Sequence, residues 1–256
     1  MSKLELLALN NMINSSEAMF DRRRRVLREA RKMISSGGLD GFNMRDLGKR
    51  ADVSTRTIYN AFGSKETVIA LSIHAYFEKF MAHIRFNDDA YNFEGALARQ
   101  VTSTLRDVDI PHYMKAVTTL YFSPTLHPDI RTVLLDLASR PWVAWLGGLQ
   151  ALRQLEKHVD IADLIVDLAN LQYGKLHEWC LGTLDDEAFL TRTLSGILLM
   201  LAGATSGKAR SNVREAFVNI QSDTPFRERL LTEARARITE MEREAVENQR
   251  RKTASA

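Results

Sequence analysis

The 256 residues carry 35 Lys/Arg against 32 Asp/Glu, a formal net charge of +3, with a hydrophobic fraction of 45%, ordinary for a globular protein. The single cysteine, Cys180, excludes an intrachain disulfide and a cysteine cluster for zinc. The sequence contains no H-E-x-x-H, no G-x-S-x-G and no glycine-rich phosphate loop, and its six histidines are scattered; the expectation is a chain that is not an enzyme and has no metal or cofactor.

Charge is unevenly spread. Residues 1–65 hold 13 Lys/Arg against 7 Asp/Glu, net +6, whereas the remainder holds 22 against 25, net −3. A basic N-terminal part on a mildly acidic body suits a surface that faces phosphates. Residues 1–16 read as an extension with a weak helical pattern at Leu4, Leu7 and Met12. The short apolar stretch Leu4–Leu9 is followed by Asn10 and Asn11, unlike a signal peptide. The longest apolar run, Leu194–Ala204, is too short to span a bilayer. A soluble, cytoplasmic protein without a membrane partner is expected.

A helix is predicted from about Glu17, with Phe20, Leu27, Ala30 and Ile34 as its buried stripe and Gly37-Gly38 as its end. Its first half carries the basic run Arg22–Arg25. A second helix follows, with Asn43 as N-cap and Asp46 placed to reach back to the Asn43 amide. Met44, Leu47, Gly48 and Ala51 form its apolar face. Asp52 occupies a turn that favours a left-handed backbone, and Val53 plugs the corner. Ser54 caps a third helix whose Ile58 and Phe62 face inward. The outer face carries Thr55, Arg56, Thr57, Tyr59 and Asn60, without acidic residues. Two short helices crossing over a tight turn make a helix-turn-helix, whose second helix can enter the DNA major groove.

The run M-R-D-L-G-K-R-A-D-V-S-T-R-T-I-Y-N-A-F-G-S-K-E, residues 44–66, resembles the DNA-binding domain of the TetR family of bacterial transcriptional regulators, and the resemblance extends from Arg22 to about Phe80. Asp52 stands where the family often has Gly, and Gly63 where it often has Pro. The resemblance implies an all-α fold with a three-helix DNA-binding domain at 17–66, a ligand-binding and dimerisation domain at 67–210 and a helical tail at 211–256. It implies phosphate contacts by Arg45, Tyr59 and Lys65, and by one or two arginines of Arg22–Arg25. Ser54 belongs to the same DNA-binding set, and Thr55, Arg56, Thr57 and Asn60 suit base edges.

Beyond Ser64, which caps the next helix, apolar residues at helical spacing continue through Val68, Leu71, Phe77 and Ile84 to a break at Asn87-Asp88-Asp89. Further helices are expected at 93–106, from Pro111 to Phe122, and from Pro128 to Leu155 with a kink or a break at Pro141. Two strongly apolar helices follow at 160–182 and 186–205, then a tail at 212–220 and 225–250. No strand-like alternation occurs. The resemblance implies that these helices surround a pocket for a small effector, and Phe86, Tyr113, Val117 and Tyr121, with Trp142, Trp145, Tyr173 and His177, are suitable lining for a lipophilic one.

The two apolar helices exceed the needs of one domain core. The resemblance implies that they pair with their copies in a homodimer, through Ile161, Leu164, Leu168 and Leu171 on one helix and Leu190, Leu194, Ile197 and Leu201 on the next, with Gly196 and Gly203 on the flank. The expected function is a repressor released from a palindromic operator by its effector. The alternative, kept open by the long charged tail with its seam Leu231, Ala234, Ile238, Met241 and Ala245, is control by a protein partner.

Overall fold

The structure, a computed structural model, describes residues 17–124 and 128–254; the expected N-terminal extension 1–16 and His127 lie outside them. Among the described residues there are eleven helices and no strands, with one isolated antiparallel bridge between Leu155 and Thr205. The fold is all-α. The helices are α1 (Glu17–Gly37), α2 (Met44–Ala51), α3 (Thr55–Phe62), α4 (Lys65–His83), α5 (Phe93–Asp109), α6 (Pro111–Tyr121), α7 (Pro128–Ala151), α8 (Ile161–Cys180), α9 (Asp186–Ala204), α10 (Gly207–Ser222) and α11 (Thr224–Ala254). α7 runs through Pro141 as one helix.

Two compact units divide the described residues, one within Met1–Lys79 and Ile110–Leu137, the other within Phe80–Asp109 and Ala138–Ala256. The division falls inside α4 and inside α7.

The first unit is built on α1, α2, α3 and the start of α4, joined by α6. In α1 the buried stripe is Val26, Ala30, Met33 and Ile34, spaced i, i+4, i+7 and i+8 as one helix face requires; Phe20 and Leu27 are only half-buried. The helix ends where Gly38, at φ 62°, donates its amide to the Ile34 carbonyl at 2.9 Å. Pro111 opens α6 at a position that lacks an intrahelical donor anyway. The Tyr113 hydroxyl donates to the Arg31 carbonyl at 3.0 Å, tying α6 to α1.

In the second unit α9 packs between α8, α10 and α5. It is the one described helix long and apolar enough to cross a membrane, since its full length exceeds the run Leu194–Ala204 considered from sequence. Its apolar face, Leu190, Leu194, Ile197 and Leu201, is buried inside the unit. A buried polar network ties α5 to its neighbours. Gln100, 0% exposed, donates to Thr104 Oγ1 at 2.9 Å and Gln172 Oε1 at 3.3 Å, and accepts from Trp142 Nε1 at 2.7 Å. Every polar atom of the Gln100 amide head thus has a partner, as burial demands.

The charged tail packs on this unit as an amphipathic helix. Ala234 and Ile238 of α11 are buried, and α11 packs along α5. Arg235 pairs with both carboxylate oxygens of Asp109 at 2.8 and 2.9 Å, and Arg106 with Glu242 at 2.8 Å.

Candidate nucleic-acid interface

Local chemistry sets the three-helix unit. Asn43 has extended backbone, and its Oδ1 accepts from the Asp46 amide at 2.8 Å. The expected return bond takes a different donor: Asp46 Oδ2 accepts from the Asn43 side-chain amide at 2.6 Å. That hydrogen bond, aided by Lys49, holds the Asp46 carboxyl below its usual range. α2 ends at Asp52, at φ 52° and ψ 52°, and Val53 donates to the Gly48 carbonyl at 2.9 Å. The turn folds so tightly over α2 that a Cβ on Gly48 would meet the Val53 carbonyl oxygen at 2.8 Å. Ser54 Oγ accepts from the Thr57 amide at 3.0 Å and caps α3, and Gly63, at φ 81°, closes it.

α1 braces this arrangement. Arg25 Nε donates to the Ala51 carbonyl at 2.7 Å, and the Arg23 guanidinium lies 4.8 Å from the centre of the Phe62 ring. Burial lowers the Arg23 pKa. Of the basic run, Arg23 and Arg25 therefore serve the unit's own structure, while Arg22 and Arg24 stay exposed. Sequence periodicity alone did not separate these two pairs.

The expected DNA-facing residues sort by exposure. Arg45, Ser54, Arg56, Tyr59 and Asn60 are exposed, and Thr55 is half-buried. Among the described residues the Arg56 guanidinium has no hydrogen-bond or ion-pair partner. Thr57 is more enclosed, because its hydroxyl lies 2.8 Å from Ser54 Oγ and it lines an apolar hollow between α3 and α1 with Met19, Val26 and Phe62. Lys65 is half-buried, its ammonium 5.6 Å from the Phe42 ring centre. The resulting surface offers a guanidinium, an amide, a phenol and a hydroxyl, a set of donors and acceptors suited to phosphates and base edges.

The residues expected to line an effector pocket divide between the units: Tyr113, Val117 and Tyr121 fall in the first, and Phe86, Trp142, Trp145, Tyr173 and His177 in the second. Most are packed side chains. Tyr113, Val117 and Tyr121 are 2% exposed, and burial raises the pKa of both phenols. Trp142 is held by Gln100, and Trp145 packs on Phe93 with ring centres 5.4 Å apart. Phe86 has the guanidinium of Arg99 at 4.4 Å and that of Arg237 at 5.8 Å from its ring centre. Tyr173 is buried and His177 exposed. The sequence reading missed an open groove of about 890 Å³ between α5, α9 and α11, with Leu105, Leu190 and Leu231 beside Thr191, Arg227 and Glu228. On the α11 side the groove takes in Leu231, the first residue of the apolar seam read from the sequence.

The residues expected at the dimer interface are mostly used within the chain. Leu164, Leu168, Leu190, Leu194, Ile197 and Leu201 are all buried, while Ile161 and Leu171 are half-buried. Gly196 lets α8 approach α9, since a Cβ there would meet Leu171 Cδ1 at 2.9 Å. The exposed large apolar residues of these helices are Val166, at 39%, and Leu199, at 62%.

Residues 26–70 match the family described as bacterial regulatory proteins, tetR family. The HTH-type transcriptional repressor KstR of Mycolicibacterium smegmatis is 36% identical over 67 residues, 26% of this chain. That match spans 33% of the relative's own length, so the chain aligns with only a third of it. A TetR transcriptional regulator from Rhodococcus sp. RHA1 superposes with a TM-score of 0.56 at 17% identity, covering 73% of this chain and 98% of that one. The Thermus thermophilus TetR-family repressor FadR, in complex with lauroyl-CoA, gives 0.51 at 16% identity, covering 71% and 94%. The helix-turn-helix with its caps, α2 and α3, lies within the matched residues. The likeness in sequence to the tetR family is carried by residues 26–70, and the chain shares the fold of the TetR regulator on which it superposes.

Proposed function

We propose that the protein is a homodimeric, cytoplasmic transcriptional repressor that binds a palindromic operator and is released by a small molecule. The observation that carries this reading is the outward face of α3, where Thr55, Arg56, Tyr59 and Asn60 stand without an acidic neighbour on that helix. Arg45, Tyr59 and Lys65 are assigned to phosphates, and Thr55, Arg56, Thr57 and Asn60 to base edges. Selection of bound duplexes from a random pool tests it. A symmetric site with half-sites about 34–36 Å apart is the expected outcome, and an unstructured pool after selection would overturn the proposal.

Dimerisation is assigned to the exposed sides of α8 and α9 around Val166 and Leu199, in an interface on the order of 2,000 Å². The effector is assigned to the second unit, where the groove with Leu105, Leu190 and Leu231 suits a lipophilic body and Thr191 and Arg227 a polar end. Because residues of α4 belong to both units, a change in its tilt is the proposed route from effector to operator. The effector must then bind the DNA-incompetent form more tightly. A compound that binds without altering operator affinity is not an inducer.

A further inference from the structure

We propose that His74, Glu78 and Asp136 form a binding site for a divalent transition-metal ion in the first unit, one that joins α4 to α7. This rests on their geometry alone and not on the reading of α3. His74 and Glu78 are one helical turn apart on α4, so their side chains share a face, and α7 brings Asp136 beside them. His74 Nε2 lies 3.8 Å from Glu78 Oε1 and 3.7 Å from Asp136 Oδ2. One ligand atom from each of the three falls within 4.8 Å of the other two.

These separations exceed a hydrogen bond, which closes at about 2.7–3.2 Å. They approach the spacing around an ion, since tetrahedral ligands with bonds of about 2.0–2.2 Å stand about 3.3–3.5 Å apart. The two imidazole–carboxylate separations exceed that spacing by a few tenths of an ångström, and the Glu78–Asp136 separation is within 4.8 Å, so side-chain adjustment closes the site. The side chains of Glu78 and Asp136 are 49% and 44% exposed, and so have room to make it, while His74, at 23%, is the more fixed member. Two carboxylates and a neutral imidazole balance the charge of a divalent ion. One nitrogen and two oxygen donors without a thiolate suit zinc, nickel or manganese rather than a softer ion, and zinc and nickel bind such donors more tightly than manganese. Three protein ligands leave a position for water.

The six histidines are scattered along the sequence. The ligand spacing present is the i, i+4 pair His74–Glu78, and its third member comes from a distant helix.

Calorimetric titration of the EDTA-treated full-length protein with zinc chloride tests the site. One ion per chain is expected at micromolar concentration, with a rise in melting temperature. His74→Ala and Asp136→Asn should each weaken binding by about tenfold or more, whereas His158→Ala, which removes an exposed histidine elsewhere, should not. Asp136→Asn preserves size and keeps the test valid if His74→Ala fails to fold, which circular dichroism reports. Cobalt substitution gives a direct readout, with visible d–d bands expected in the wild type and lost in Asp136→Asn. Equal zinc binding by wild type and both variants would assign the metal to other surface groups and overturn the site. A silent titration with zinc, nickel and manganese would leave the cluster a histidine–carboxylate ion pair and overturn it equally.

Discussion

The guanidinium of Arg25 donates through Nε to the carbonyl oxygen of Ala51, 2.7 Å away. Ala51 ends α2, where carbonyls have no partner within the helix and the dipole favours a cation. One side chain of α1 thus satisfies the end of α2 at the point where the chain turns toward α3. Arg25→Met keeps the apolar stem and removes the donors. It is expected to cost about 1–3 kcal/mol in urea unfolding and to weaken binding to every DNA sequence alike; unchanged stability would show that the contact is dispensable.

Gly48 has no room for a methyl group. Gly48→Ala places a Cβ against the Val53 carbonyl oxygen, which the turn cannot relieve without opening. The expected loss is about 1–3 kcal/mol, read as a lower denaturation midpoint, with DNA affinity reduced at temperatures where the chain is still folded. Gly147→Ala, where nothing lies within 4 Å, is the control and should be neutral or stabilising.

Asp107 of α5 is 3% exposed, and burial pushes its carboxyl well above the usual range, with Arg106 opposing. A carboxyl raised in the folded chain keeps its proton where the unfolded chain has already lost it. The resulting penalty is absent below about pH 3.9 and grows as pH rises through the folded pKa. Asp107→Asn is therefore expected to raise the urea midpoint near neutral pH and to change it little near pH 4. A shift of the same size at both would contradict this.

Leu199 and Leu201 are two residues apart and should behave differently. Leu199 is 62% exposed and Leu201 0%. Leu199→Glu is expected to give a monomer on sedimentation, with helix content and melting temperature retained. Leu201→Glu should unfold the second unit, because it empties a core position and buries a charge. A dimeric Leu199→Glu protein would move the interface elsewhere.

Much of this was written locally in the chain. The caps Asn43, Ser54 and Ser64 and the inward pair Ile58 and Phe62 follow from rules that act over four residues, and the structure places them so. The helices of both units were visible for the same reason. Faces of α8 and α9 were not, because residues such as Leu199 and Leu201 are equally apolar and only tertiary packing decides which turns inward. Phe86 looked like pocket material until Arg99 and Arg237, far apart in sequence, met over its ring. Arg22–Arg25 read as one basic run because the partners that distinguish Arg23 and Arg25, Phe62 and Ala51, lie on other helices.

Reading of DNA by the exposed face of α3 is tested most directly by comparing the sequences selected by wild type and by Arg56→Ala. The guanidinium can pair in bidentate fashion with guanine, worth about 1–3 kcal/mol of discrimination. Arg56→Ala is expected to lose preference at one base position in each half-site while keeping the rest of the site. Lys65→Ala should instead weaken all sequences and flatten the dependence on salt. An unchanged base preference in Arg56→Ala would contradict the assignment of α3 as the reading helix through this residue.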